Sequence, residues 1–278
     1  MLFRSITLIS AAVSLAVTGL TGGFGGLSWL YQIPAWFLGS YVLLFLLAVL
    51  ALSLICGAVD LDKPQEQDDR FYRKCMHLYI EALISLVKVK IHATGLEQAP
   101  QDRRFLLVCN HLFIADPGIV LHCFPNSQLT FISKQENKTM PFIGKFMHKI
   151  RCQFIDRDND RAALKTILTC IQMIKSNQVS LGVFPEGYTS RDGKLHRFRS
   201  GVFKIAQKTG APIVVCTIQN TREIFHNLKK LKTTHVPFHL VQVIQPEQYQ
   251  GKTTGEISEM VYEAMIADLG ESFRCAEA

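Results

Sequence analysis

Through the first 59 residues apolar positions run almost unbroken, and beyond them they split into short runs separated by charged and turn-forming residues. The stretch from Ile6 to Leu20 is apolar but short. TGGFGGLSWLYQIP follows, uncharged and with four glycines, and then AWFLGSYVLLFLLAVLALSLICGAV, 25 residues over 35–59. About 20 apolar residues suffice to cross a bilayer, so the second run is a spanning candidate and the first is marginal. Two helices joined by a glycine-rich turn make a hairpin whose ends share one side. Arg4, Lys63, Arg70, Arg73 and Lys74 flank those ends while the turn has no Lys or Arg, so the positive-inside rule places both ends in the cytoplasm. A hairpin that crosses and one that dips into a single leaflet both fit. A cleaved signal peptide over residues 1–20 is disfavoured by the single basic residue and the lack of a clear small-x-small cleavage site.

From Asp60 the periodicity changes. Phe71, Met76, Leu78, Ile80, Leu83 and Ile84 give an approximately helical apolar face, with Arg70, Arg73, Lys74 and Lys88 beside it. Such a helix can pack on a domain or lie against anionic headgroups. VKVKIHA alternates strictly and predicts a half-buried strand. Strand-like runs follow at RFLLVC, LTFIS, QFID, VSLGVF, PIVVCTI and FHLVQVI. Helical patterns lie between them, most clearly DRAALKTILTCIQMIKSN and SGVFKIAQKTG, the second closing on a glycine C-cap signal. The alternation predicts an α/β domain over residues 60–278, a central mixed sheet flanked by helices, preceded by a membrane-anchoring two-helix hairpin over 1–59.

Composition sharpens this division. The chain is 48% hydrophobic, high for a soluble enzyme, yet residues 60–278 hold 29 basic against 23 acidic side chains, a net charge of +6. That charge is not interleaved with aromatics as a nucleic-acid stacking platform needs, so a nucleic-acid partner is not expected. No GxGxxG or GxxxxGK[ST] appears, and the eight cysteines show neither a CxxC pair nor metal-ligand spacing. Several sit inside apolar runs, where Cys acts as a small hydrophobe, and the pattern reads as reduced thiols on a cytosolic face. Neither a metal nor a cofactor is expected.

Three polar interruptions carry the candidate chemistry. In FLLVCNHLFIADPG a strand ends on Asn110-His111, with Asp116 five residues after the histidine. A His-Asp pair at this spacing is a weak signal alone. At the edge where open α/β sheets place ligands, however, Asp116 can fold back onto one imidazole nitrogen and leave the other as a base near neutral pH. In VSLGVFPEGYTSRDG a strand ends at a turn holding Glu186, an acid among apolar neighbours, and Gly187, which permits close backbone approach. In QFIDRDN a short apolar run ends at Arg157, a surface charge or a phosphate ligand.

NHLFIAD resembles the NHx4D block of the glycerolipid acyltransferases, VFPEGYTSR their FPEG block, FIDR their arginine block and APIVVCTI their closing strand. Four blocks in the family's order, across about residues 85–220 behind a hydrophobic N-terminus, are more specific than any one. The resemblance is strongest to the bacterial 1-acyl-sn-glycerol-3-phosphate acyltransferases. It implies acyl transfer from a thioester, acyl-CoA or acyl carrier protein, to the sn-2 hydroxyl of lysophosphatidic acid, forming phosphatidic acid. His111 would be the base and Asp116 its orienting partner. Arg157 would hold the acceptor phosphate, with Lys134 and Arg191 as further candidates, and Glu186 and Gly187 would shape the acceptor site. The family's block often reads FPEGTRS, whereas Tyr188-Thr189 stand here with Arg191 two residues later. Glycerol-3-phosphate, lyso-ornithine lipid or another lysophospholipid is the alternative acceptor. A hydrolase using water and a non-catalytic membrane scaffold are the rival classes. The implied location is a plasma or inner membrane, with the catalytic domain on the cytoplasmic face and membrane lipid as substrate.

Overall fold

The computed structural model describes residues 2–156 and 159–275, and the chain divides into two compact units, Met1–Lys63 and Pro64–Ala278. In the first, helix α1 (Leu2–Leu20) and helix α2 (Trp29–Gly57) are joined by a turn containing a 3-10 segment at Gly23–Gly25. Gly22 takes the left-handed φ of +70° that starts this turn. Thr21 Oγ1 donates to Gln32 Oε1 at 2.8 Å across it. Phe3 and Phe45 stack at 6.4 Å, which sets the two helices side by side. Helix α2 begins six residues before the apolar run that predicts it, taking Pro34 into its interior. A single proline near the start removes one ladder bond without ending the helix. At about 1.5 Å per residue α2 is long enough to cross a bilayer, and α1 passes the same test of length and composition.

The second unit opens with α3 (Arg70–Leu86), capped by Asp69, whose Oδ1 accepts from Phe71 N at 3.0 Å and Tyr72 N at 3.2 Å. Its inner face packs on the domain. Met76 and Ala82 are buried, and Arg73 pairs with Asp68 at 2.8 Å while donating to Leu129 O. Phe71, Leu83 and Leu86 stay exposed on the outer face.

In chain order there follow β1 (Val89–Thr94), β2 (Leu106–Cys109), α4 (Asp116–Cys123), β3 (Leu129–Lys134), α5 (Ile143–Lys149), β4 (Gln153–Ile155), α6 (Asp160–Lys175), β5 (Ser180–Val183), α7 (Lys204–Thr209), β6 (Ile213–Ile218), α8 (Ile224–Lys229), β7 (Thr234–Ile244), α9 (Pro246–Tyr249) and α10 (Thr254–Leu269). All seven strands coincide with the runs that predicted them, and β7 alone extends well past its run, back to Thr234. They form one sheet in the order β1-β7-β6-β2-β5-β3-β4, parallel throughout except for the β6–β7 pair. The sheet is mixed, as expected.

Strands β2 and β5 are buried at every position, the signature of central strands covered on both faces. Leu106, Val108, Leu181, Val183, Ile213 and Val215 point to one face, against Ile167 and Ile171 of α6 and Val261 and Met265 of α10. Periodicity predicts no element after FHLVQVI, yet α10 covers a large part of this core. The usable signal was its capping box, with Thr253 Oγ1 and the Glu256 carboxylate bonded reciprocally to each other's backbone N–H. The eight cysteines are free thiols, five of them buried as apolar packing.

Gly182 of β5 is fixed by packing. A Cβ there would lie 2.4 Å from the Phe131 ring, which rests flat against the strand. Gly182→Ala should destabilise the domain by about 1–3 kcal/mol, the usual cost of overpacking. Gly118→Ala, with nothing within 4 Å of the new methyl, should be neutral or slightly stabilising. Urea denaturation of the two variants checks this, and equal stabilities would remove the packing argument.

Candidate active site

Because β6, β2, β5, β3 and β4 run parallel, their C-terminal ends collect along one edge of the sheet. The chain leaves β2 at Asn110, whose buried side-chain amide behaves like a strand partner. Its Nδ2 donates to Ile218 O at 2.9 Å and its Oδ1 accepts from Ile218 N at 2.8 Å. This two-point lock to the end of β6 satisfies four polar groups and fixes where His111 emerges.

His111 Nδ1 lies 2.9 Å from Asp116 Oδ2. The same oxygen accepts from Leu112 N at 2.6 Å and Phe113 N at 2.7 Å, so it is an acceptor three times over. The ring proton therefore sits on Nδ1, and Nε2 carries a free lone pair. Asp116 opens α4 with Pro117 behind it, and it is fully buried. Proline suits the first turn of a helix, so what the sequence shows as an Asp-Pro turn is also a helix start. The imidazole stacks on Phe184 at a centroid distance of 4.4 Å, and Phe184 stacks on Phe131 at 5.5 Å with a 6° interplanar angle. The histidine thus rests on a column of rings that ends at Gly182.

The His111 backbone is held at both ends. Its N–H donates to Glu186 Oε1 at 2.9 Å, and its carbonyl accepts from Ser190 N at 2.8 Å. The second carboxylate oxygen, Glu186 Oε2, accepts from His196 N at 3.1 Å. Glu186 is 1% exposed, so its carboxylate joins three segments internally rather than facing an acceptor. Burial pushes its pKa up to about 7, against the opposing pull of the two N–H donors. Gly187 has φ +83°, and a Cβ there would lie 2.9 Å from Arg199 Nε, so both conformation and space call for glycine.

Lys134 at the end of β3 and Arg191 meet in a cleft of about 570 Å³, whose other walls are Tyr188, Thr189, Asp192 and His196. The Arg222 guanidinium donates to the Arg191 carbonyl and holds this loop. The cleft does not include His111 among its walls, but His196 and His111 hang from the same Glu186 carboxylate. Arg157 lies outside the described residues. Sequence reasoning missed Phe184, Ser190 and His196 and assigned Asn110 no role. Asn110 ends an all-apolar strand, which was a usable signal, whereas the others act through backbone groups or ring faces that no motif spells out.

An Nδ1-protonated histidine with a free Nε2, a buried carboxylate behind it and a cationic cleft nearby suits proton abstraction from an acceptor that carries negative charge. Residues 90–219 match the Acyltransferase family model. Relatives include a 1-acyl-sn-glycerol-3-phosphate acyltransferase of Borreliella burgdorferi, 29% identical over 54% of this chain and 59% of that protein. A probable 1-acyl-sn-glycerol-3-phosphate acyltransferase of Mycoplasma pneumoniae is 28% identical over 72% and 77%. The chain spans about half the length of the first curated relatives it matches. The crystal structure of the 1-acyl-sn-glycerophosphate (LPA) acyltransferase of Thermotoga maritima shares the fold, with TM-score 0.63 and 23% identity over 84% of this chain and 95% of that one.

A carboxyl whose folded pKa is raised contributes stability that is full below its ordinary value of 4.5 and is lost as pH rises toward about 7. Glu186→Gln removes that titration and also loses one of the two N–H acceptors. The stability gap between wild type and Glu186→Gln should therefore narrow from about pH 4.5 to 7, as chemical denaturation across that range would show. A constant gap would mean Glu186 does not titrate there.

Proposed function

We propose that the chain transfers an acyl group from a thioester, acyl-CoA or acyl carrier protein, to the sn-2 hydroxyl of lysophosphatidic acid, forming phosphatidic acid at a membrane. The observation that carries this reading is the His111–Asp116 pair with its free Nε2, set in a domain whose relatives bear that activity in their names. Nε2 takes the hydroxyl proton as the oxygen attacks the thioester carbonyl. The C–O bond forms, the tetrahedral oxyanion collapses, the C–S bond breaks, and the imidazolium returns its proton to the departing thiolate. Asp116 Oδ2 and the Phe184 ring face stabilise the imidazolium while it exists, the second by cation–π attraction. No acyl-enzyme is required, which fits cysteines buried as packing.

Arg157 binds the acceptor phosphate, with Lys134 and Arg191, which share the cleft, as further ligands. The apolar hairpin anchors the domain on the cytoplasmic face of a plasma or inner membrane, where lysolipid is concentrated. Tyr188 exposes a bulky ring on the cleft wall where the resembling family often has threonine. That favours a second reading in which glycerol-3-phosphate, lyso-ornithine lipid or another lysophospholipid is the acceptor.

Thioester consumption by the purified chain in detergent should require lysophosphatidic acid. It should fall by about 10²–10⁴-fold in His111→Ala, the usual worth of a general base. A variant retaining a tenth of the wild-type rate would sink the assignment, and turnover without acceptor would indicate a hydrolase. Lys134→Ala and Arg191→Ala should raise KM for a phosphorylated acceptor more than they lower kcat. If neither KM moves, the phosphate is held elsewhere.

A further inference from the structure

No His, Cys, Asp or Glu group shows ligand spacing along the chain, yet the fold brings Asp192, His196 and Cys275 together, with one ligand atom of each within 4.8 Å of the others. We propose that these three side chains form a binding site for a single zinc-class divalent cation. Thiolate, imidazole and carboxylate together suit a borderline-soft ion such as Zn²⁺, and three protein ligands leave one position open to water or ligand.

The ligands are held in place by their own segments. Asp192 Oδ1 accepts from Ser190 Oγ at 2.9 Å, Lys194 N at 3.0 Å and His196 Nε2 at 2.9 Å. Oδ2 accepts no hydrogen bond among the described residues and is available to a cation. The His196 backbone is fixed by Glu186. Cys275 is not a lone thiol on a loose end. Its N–H donates to Leu195 O at 3.2 Å, Leu195 N to Phe273 O at 2.7 Å and Lys194 Nζ to Ser272 O at 3.1 Å. Arg274, paired with Glu263 and Glu271, anchors the same tail onto α10.

On binding, His196 takes the tautomer with its proton on Nδ1 and offers the Nε2 lone pair to the metal in place of the hydrogen bond to Asp192, and the Cys275 thiol releases its proton to solvent to become a thiolate ligand. The ion then cross-links the C-terminal segment to the turn after Glu186. Because Asp192 and His196 are also walls of the cleft holding Lys134 and Arg191, it adds positive charge where an anion would bind. The site stands on this geometry and not on the acyl-transfer reading, so the two can fail separately.

Titration of the full-length, metal-stripped chain in detergent with Co²⁺ tests the site, because thiolate-to-cobalt charge transfer reports a Cys ligand directly. One equivalent should develop the band in wild type. Cys275→Ser should abolish it, and His196→Ala should weaken Co²⁺ binding at least tenfold. Zn²⁺ should displace the cobalt and should raise the thermal midpoint of wild type but not of Cys275→Ser. Without metal, Cys275→Ser should keep the wild-type midpoint, which separates ligand loss from misfolding. Absence of the band, or an equal band in Cys275→Ser, overturns the proposal.

Discussion

A single buried carboxylate ties the candidate site together. Glu186 sits at the end of β5 and takes the backbone N–H of His111, which follows β2, on one oxygen and that of His196 on the other. Hydrogen bonds to a charged group each contribute roughly 1.5–3 kcal/mol, against a substantial cost of burying the charge. That balance is seen in a carboxyl whose pKa is raised by burial while its two donors pull it back. This bridge, with the Ser190 N–H to His111 carbonyl bond beside it, ties the loops after β2 and β5 to each other.

Around that bridge the histidine is constrained from four directions. Asn110 fixes its point of exit from the sheet, Ser190 takes its carbonyl, Asp116 holds Nδ1 and the Phe184 ring supports its face. What remains free is Nε2. The ring column extends the constraint into the sheet, because Phe131 lies flat only where β5 has no side chain at Gly182. A glycine in the middle of a strand usually weakens it. Here it gives room to the support of an imidazole two rings away.

The cleft and the His111–Asp116 pair are built differently. His111 and Asp116 are fixed by buried hydrogen bonds, whereas Tyr188, Thr189, Arg191 and Asp192 lie exposed on a turn after the strand. Loops on a rigid sheet edge tolerate substitution. The departure from FPEGTRS falls in this exposed turn, leaving the His111–Asp116 pair intact. Under the proposed acyl transfer, proton transfer and the identity of the acceptor can thus vary separately.

Much of this was legible in the order of residues. Alternation and short apolar runs located all seven strands, and unbroken apolarity marked the hairpin helices, because both are local consequences of which faces must avoid water. Polar residues closing apolar runs marked His111, Asp116 and Glu186 as groups needing partners. Partners distant in sequence were out of reach. The pairing of Asn110 with Ile218, the turning of Glu186 inward to the His111 N–H and the meeting of Asp192 and His196 with Cys275 join segments separated by tens of residues. The sequence by itself determined which groups were polar, apolar or able to titrate. Only the parallel arrangement of strands, which brings their C-terminal ends to one edge, decided which of those groups would touch.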